Sequence, residues 1–386
     1  MRNSNVDACP VCQNSPMVPV LSMKDIPVHC NRLHDSRHHA LNVPRAELQL
    51  GFCPACGHLS NRAFRPELMQ YDHRYENSLH FSPRFRQYAD ELVDRLVDQY
   101  QLQNKLVLEI GCGSGEFLQL FAQRGVAHAI GLEPGMSGHG VTGNMEIRPE
   151  TYGSQHYFIT ADLICCRHVL EHIADPVAFL QTFRANPNLS ASTVFYFEVP
   201  NALFTLKGNG YWDLIYEHCS YYSPGSLQRV FENAGFEPIA IYESFGGQFL
   251  AIEAHPGKRP EQHQVAEDLQ SLIPSFAERF HSRVAEWRNR LNDMKAQHRK
   301  IALWGAGSKG ITFVNVVDRD HTIESVIDIN PRKIGKFIPG TGQPVLSPEE
   351  LKANPYDVIL IMNPLYTSEI TETLHELGVT AELLNV

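Results

Sequence analysis

Two cysteine pairs of identical spacing, Cys9-Pro10-Val11-Cys12 and Cys53-Pro54-Ala55-Cys56, constrain the start of this chain more than any other feature. Two-residue spacing lets both thiolates of a pair reach one ion from a tight turn, and Pro10, Pro54 and Gly57 favour such turns. Four sulfurs in tetrahedral array predict a closed, structural zinc site with no position left for a substrate. The alternatives are two disulfides or unrelated core cysteines. His29, Cys30, His34, His38 and His39 lie between the pairs and could replace a ligand. A structural zinc does no chemistry, so the chemistry belongs further along the chain.

With 386 residues the chain has room for two or three domains. Nine cysteines, four already committed to a metal, suit a reducing compartment. The first residues lack the apolar stretch of a signal peptide, and no apolar run reaches membrane-spanning length. A cytoplasmic protein without membrane contact is expected. The formal net charge of -10 argues against a broad nucleic-acid surface, which needs clustered Lys and Arg. A local basic pocket for a diphosphate remains compatible with it.

Three segments are expected. Residues 1–65 form the cysteine module. Residues 66–255 alternate strands (Lys105–Ile110, Ala127–Leu132, Phe158–Cys166, Thr193–Val199) with helices (Gly115–Arg124, Val177–Phe183, Leu227–Ala234), which predicts a parallel α/β sheet. Residues 256–386 combine a long amphipathic helix over 261–299 with a second strand, glycine loop and helix. In that helix Leu269, Leu272, Phe276, Phe280, Val284, Trp287, Leu291 and Met294 recur at three- and four-residue steps, as for an intramolecular connector or a partner-binding coiled coil.

The first glycine loop, Glu109-Ile110-Gly111-Cys112-Gly113-Ser114-Gly115, joins a strand to a helix. Glycines let the backbone turn sharply and approach a ligand. Glu133 closes the next strand, where a carboxylate can accept both ribose hydroxyls of an adenosine. This loop resembles the first motif of the class I S-adenosylmethionine-dependent methyltransferases, in which the glycine turn faces the methionyl part and the acid binds the ribose. The segment Arg167-His168-Val169-Leu170-Glu171-His172 resembles the post-motif segment of the same superfamily, which implies that Arg167 and His168 face the cofactor. Spaced four apart, His168 and His172 would share a helix face. They could pair on a metal, face substrate or cofactor, or be satisfied structural histidines.

Tyr216-Glu217-His218, after the fourth strand, sits among aromatics. His218 suits proton abstraction near neutral pH, and a carboxylate can orient it or share the proton. The ordinary alternative is core packing for the tyrosines and a capped loop histidine.

Together these features resemble the three-domain, zinc-containing C-methyltransferases acting on nucleotide-diphosphate keto-deoxysugars. That resemblance implies a base at His218 helped by Glu217, with His172 and a junction tyrosine lining the substrate. The junction offers Tyr71 and Tyr75, with Tyr75 preferred, and Tyr216 is a further candidate. It also implies that the second glycine loop, Gly305-Ala306-Gly307-Ser308-Lys309-Gly310, holds the nucleotide-sugar, through Gly305, Gly307 and Lys309. Asp328, after the next strand, leaves a dinucleotide reading of that loop open. Other acceptors, oxygen or nitrogen methylation, or a scaffold retaining a vestigial fold are the alternatives. A monomer or homodimer is expected.

Overall fold

The computed structural model describes residues 8–13, 16–69, 74–208, 210–257 and 267–386. The central sheet has eight strands. Five parallel strands form its middle: Met145–Arg148, His128–Leu132, Leu106–Ile110, Leu163–Arg167 and Val194–Pro200. All but Met145–Arg148 read as near-continuous apolar runs because helices cover both faces. Val107, Leu163, Cys165 and Phe197 have no exposed surface. The edges depart from the expected all-parallel sheet. A hairpin of Phe236–Ser244 and Phe249–Pro256 closes one side antiparallel, and Gly140–Thr142 closes the other.

The helix Pro83–Tyr100, outside the strands and helices expected above, is built from local signals. Ser82 caps it by accepting from the Phe85 amide at 3.2 Å, Pro83 opens it, and Phe85, Ala89, Leu92, Val93 and Leu96 bury one face. The helix Pro224–Asn233 ends, as expected, before Gly235 in left-handed conformation.

The C-terminal sheet is fully parallel, in the order Val345–Leu346, Ile323–Ile327, Ile301–Trp304, Val358–Ile361, Glu382–Asn385. The amphipathic segment before it is two helices rather than one. Glu267–Leu272 and Phe276–Ala296 are separated around Pro274, whose ring cannot continue a helix; residues 258–266 lie outside the described set. Phe280, Val284, Trp287, Leu291 and Met294 are buried in a core that also contains Leu21 and Leu48 of the cysteine module and Phe313 of the last domain. The segment is thus an intramolecular connector.

The cysteine module adds a third, antiparallel sheet of Val18–Pro27, Arg45–Phe52 and Leu59–Asn61. Its last strand is Ser220–Tyr221, paired with Ser60 and Leu59. The chain beyond the parallel strand Val194–Pro200 is therefore fastened to the module, and this fixes the direction in which His218 points.

Candidate active site

The two cysteine pairs meet. Cys9 Sγ lies 3.5 Å from Cys56 Sγ, and Cys12 Sγ 3.6 Å from Cys53 Sγ. All four sulfurs fall within 4.8 Å of one another, and no cysteine among the described residues is in a disulfide. Sulfurs about 2.3 Å from a tetrahedral ion stand about 3.8 Å apart, so the donor set and spacing fit zinc. Of the alternative ligands between the pairs, none joins this cluster among the described residues.

In the first glycine loop Gly111, Gly113 and Gly115 have φ of +70°, +54° and +85°. Their reasons for being glycine differ. A Cβ on Gly111 would meet Val169 at 2.3 Å, and one on Gly115 would meet Ile147 at 2.6 Å. One on Gly113 would meet no protein atom within 4 Å. Gly113 is therefore the position where the backbone is bare toward the cavity. The Glu133 carboxylate accepts from the Gly113 amide at 3.1 Å and the Gly135 amide at 2.8 Å, which brings the acid to the loop. Glu109 is buried at the end of its strand, and burial raises its pKa to about 8.

Arg167 and His168 reach the same cavity but do not offer free charges to it. Arg167 is held by Glu198, which has no exposed surface, and His168 stands beside the same carboxylate. Arg167 Nη2 is 2.9 Å and Nε 3.0 Å from Glu198 Oε1, and the guanidinium lies 4.0 Å over the Phe117 ring. His168 Nε2 is 3.2 Å from the same oxygen. Tyr88, Tyr196 and Ser244 hydroxyls donate to Oε2. Burial favours the neutral acid, but Arg167, His168 and Tyr88 outweigh it and hold the Glu198 carboxyl well below its ordinary range. The shared helix face expected for His168 and His172 is absent. His168 has φ +55°, and Leu170–His172 is one 3-10 turn. The sequence signal for Glu198 was a lone acid inside the apolar run Val194–Val199.

His172 and His218 face each other, ring centroids 4.9 Å apart and planes at 77°. Burial lowers both pKa values, that of His172 to about 4, so both are neutral imidazoles at physiological pH. His172 Nδ1 lies 3.2 Å from the Glu217 carbonyl, a contact that favours the Nδ1–H tautomer. Glu217 and His218, adjacent in sequence, turn to different environments. The Glu217 carboxylate accepts from the Cys30 amide and, at 3.4 Å, from the Asn31 amide. Burial raises its pKa to about 7, against the hydrogen bonds from Cys30 and Tyr75. Tyr75 also takes a hydrogen bond from Asn31 Nδ2 at 3.2 Å and lines the cavity. Tyr71 lies outside the described residues. Tyr216 does not reach the cavity. It is fully buried, accepting from the Arg65 amide at 2.9 Å and donating to the Ala63 carbonyl at 3.3 Å. Its adjacency to Glu217 and His218 misled because backbone direction changes from residue to residue here.

The second glycine loop opens the helix Ser308–Val316, with Gly305 at φ +117° and Gly310 packed so that a Cβ would strike the Gly305 carbonyl at 2.0 Å. Lys309 is already engaged, 2.5 Å from Asp213. Asp328 accepts from the Ala306 amide at 2.8 Å, lies 3.6 Å from Lys333 Nζ and lines the cavity, much as Glu133 accepts from its own glycine loop.

One cavity of about 850 Å³ joins these parts. Glu109, Gly111, Gly113, Glu133, Arg167, His168, His172, His218, Tyr75, Gly305, Gly307 and Lys309 line it; Gly115, Tyr216 and Glu217 do not. Asp213, Glu171 and Arg332 line it as well and were not singled out from sequence. Only the fold brings residues so distant in sequence to one wall.

Residues 80–241 match a methyltransferase domain model, and residues 238–381 match a C-methyltransferase C-terminal domain model. The chain is thus an S-adenosylmethionine-dependent methyltransferase. Its second matched domain sets it among the C-methyltransferases, and it is 26% identical, over 96% of its length and 93% of the relative's, to the C-methyltransferase NovU of Streptomyces niveus. Among solved structures it is similar to magnesium protoporphyrin IX methyltransferase (ChlM) from Synechocystis PCC 6803, with 17% identity, TM-score 0.33, and coverage of 45% of this chain and 84% of that one. It is also similar to a complex between the Haloferax volcanii Trm112 methyltransferase activator and the putative methyltransferase, with 12% identity, TM-score 0.34, and coverage of 45% and 98%. No helix among the described residues is long and apolar enough to cross a membrane.

Proposed function

We propose that the chain methylates a carbon α to a ketone, in a nucleotide-diphosphate deoxysugar, after enolisation by His218. The observation that carries this reading is the single cavity bounded by the first glycine loop, the facing imidazoles and the second glycine loop. S-adenosylmethionine, bound along Gly111, Gly113 and Glu133, supplies the methyl group as its sulfonium. Gly115 supports that loop from behind, where its missing side chain makes room for Ile147.

His218 lines the cavity in the neutral form that accepts a proton. Glu217 acts behind it: its carboxylate, gripped by the Cys30 and Asn31 amides, fixes the strip of chain that carries His218 against the cysteine module. His172 and Tyr75 border the acceptor. Gly305, Gly307 and the N-terminus of helix Ser308–Val316 suit a diphosphate, with Lys309, steered by Asp213, beside it. Cys9, Cys12, Cys53 and Cys56 hold a structural zinc that braces the module.

The test is turnover of thymidine-diphosphate-4-keto-6-deoxyglucose with S-adenosylmethionine, with NMR assignment of the new methyl. A methyl on carbon is expected, and His218→Ala should lower kcat by roughly 10²–10⁴-fold with S-adenosylhomocysteine affinity intact. A methyl on oxygen or nitrogen, or full turnover by the variant, would overturn the assignment.

A further inference from the structure

Removing a proton beside a ketone leaves charge on the ketone oxygen, and a site for this reaction must meet that charge as well as supply a base. Among the described residues four Lys and Arg side chains line the cavity, and each is already engaged. Arg167 is held by Glu198 and Lys309 by Asp213; Arg332 lies 3.1 Å from Glu76 and 3.4 Å from Glu116, and Lys333 3.6 Å from Asp328. The Tyr75 hydroxyl is occupied between Asn31 and Glu217.

Glu171 is different. It lies between His168 and His172 in sequence, on the 3-10 turn at the carboxyl edge of the sheet. Its carboxyl lies within 4.8 Å of ring nitrogens of both His172 and His218. It is 2% exposed, lines the cavity, and its Oε2 is buried without a hydrogen-bond partner among the described residues.

We propose that Glu171 is a catalytic residue, a neutral carboxylic acid that donates to the ketone oxygen while His218 removes the α-proton. The inference rests on the α-ketone reading above. The C–H bond breaks and its proton goes to His218. The C–H electron pair becomes the C=C bond, the carbonyl π pair moves to oxygen, and oxygen takes the Glu171 proton, leaving an enol and a carboxylate. When the carbonyl re-forms, the proton returns to Glu171.

The surroundings support a neutral Glu171. Burial, and secondarily the Glu198 anion, raise its pKa to about 8. His172 and His218 beside it are held neutral by burial. His168 Nδ1 lies 3.8 Å from Oε1, and its other nitrogen faces Glu198. Cys166, Cys219 and Tyr222 pack nearby, and burial raises all three above the physiological range. Neither His172 nor His218 therefore compels Glu171 to ionise. Acting as a donor, it is competent below its pKa and lost as pH rises through about 8.

The experiment is NMR of deuterium exchange at the α-positions of thymidine-diphosphate-4-keto-6-deoxyglucose, with S-adenosylhomocysteine bound, from pH 6.5 to 9.5. Wild type should exchange and slow above about pH 8. Glu171→Ala should exchange roughly 10²–10³-fold more slowly, as for loss of one oxyanion donor. Glu171→Gln, nearly isosteric, should keep the fold and S-adenosylhomocysteine affinity, lose less rate, and lose the alkaline limb. A Gln variant with wild-type rate and the same limb would overturn the role of Glu171 alone. So would exchange that stops with a chelator and returns with a divalent cation, because the carboxylate would then be an ionised ligand. A wild type that never exchanges the probe would instead overturn the acceptor reading, and this one with it.

Discussion

Glu198→Gln should destabilise the protein more than any substitution at the cavity surface. Glu198 is 0% and Arg167 8% exposed, so the guanidinium left without its carboxylate has almost no route to water. The hydroxyls of Tyr88, Tyr196 and Ser244 can rotate to accept from an amide, and one amide oxygen can still face Arg167. What is lost is the compensating charge. Breaking a buried pair from one side costs about 3–5 kcal/mol. For a domain of 150–250 residues each kcal/mol moves Tm by about 2–4 °C, so a fall of roughly 6–20 °C is expected. Thermal unfolding followed by near-ultraviolet circular dichroism measures it. Replacing both partners, Glu198→Gln with Arg167→Met, should recover a large part of the loss, because a hydrophobic isostere of a buried pair is often near neutral. The pH dependence has a definite sign. With a depressed folded-state pKa, Glu198 contributes its full stabilisation above the ordinary carboxylate value and loses it as pH falls. The single variant should therefore show a flatter acid limb below about pH 4.5. A single variant within about 1 kcal/mol of wild type, or a double variant worse than the sum, would refute the account of Glu198 as the charge that holds this wall.

Two further outcomes separate binding from packing. Gly113→Ala should weaken S-adenosylhomocysteine binding at least about tenfold by calorimetry, because its methyl enters the cavity, while the left-handed φ costs about 1–2 kcal/mol of stability. Gly111→Ala should lose more stability, because its methyl meets Val169; the reverse order of the two effects would contradict the division of roles in the loop. Elemental analysis should find one zinc per chain, and Cys53→Ser should lose it together with Tm; metal-free protein of unchanged stability would remove the structural role of the cluster.

The sequence alone determined those parts of the protein that depend on neighbours along the chain. Cys9-x-x-Cys12 and Cys53-x-x-Cys56 announce a tetrahedral donor set because two-residue spacing is a local constraint. Strand, glycine turn and helix are legible at Leu106–Gln123 and again at Ile301–Val316, because apolar runs and glycine act over a few residues. Even the strand-end acid at Glu133 could be placed by counting. The missed helix Pro83–Tyr100 was equally local, carrying its cap, proline and periodic apolar face in plain view.

Tertiary structure decided the charges and directions. Arg167 and Lys309 look like ligand-binding groups in one dimension, but Glu198 and Asp213 lie 31 and 96 residues from them and take up those charges. Tyr216, Glu217 and His218 are consecutive, yet one packs on Phe64, one grips the Cys30 and Asn31 amides and one faces the cavity. Their separation follows from the pairing of Ser220–Tyr221 with the cysteine module. Glu171 gains its character the same way: its carboxyl is ordinary in sequence, and only burial beside two neutral imidazoles gives it an uncommon protonation state. Covalent neighbours set conformational preference, but desolvation and charge pairing act through space, between neighbours that meet only as the chain folds.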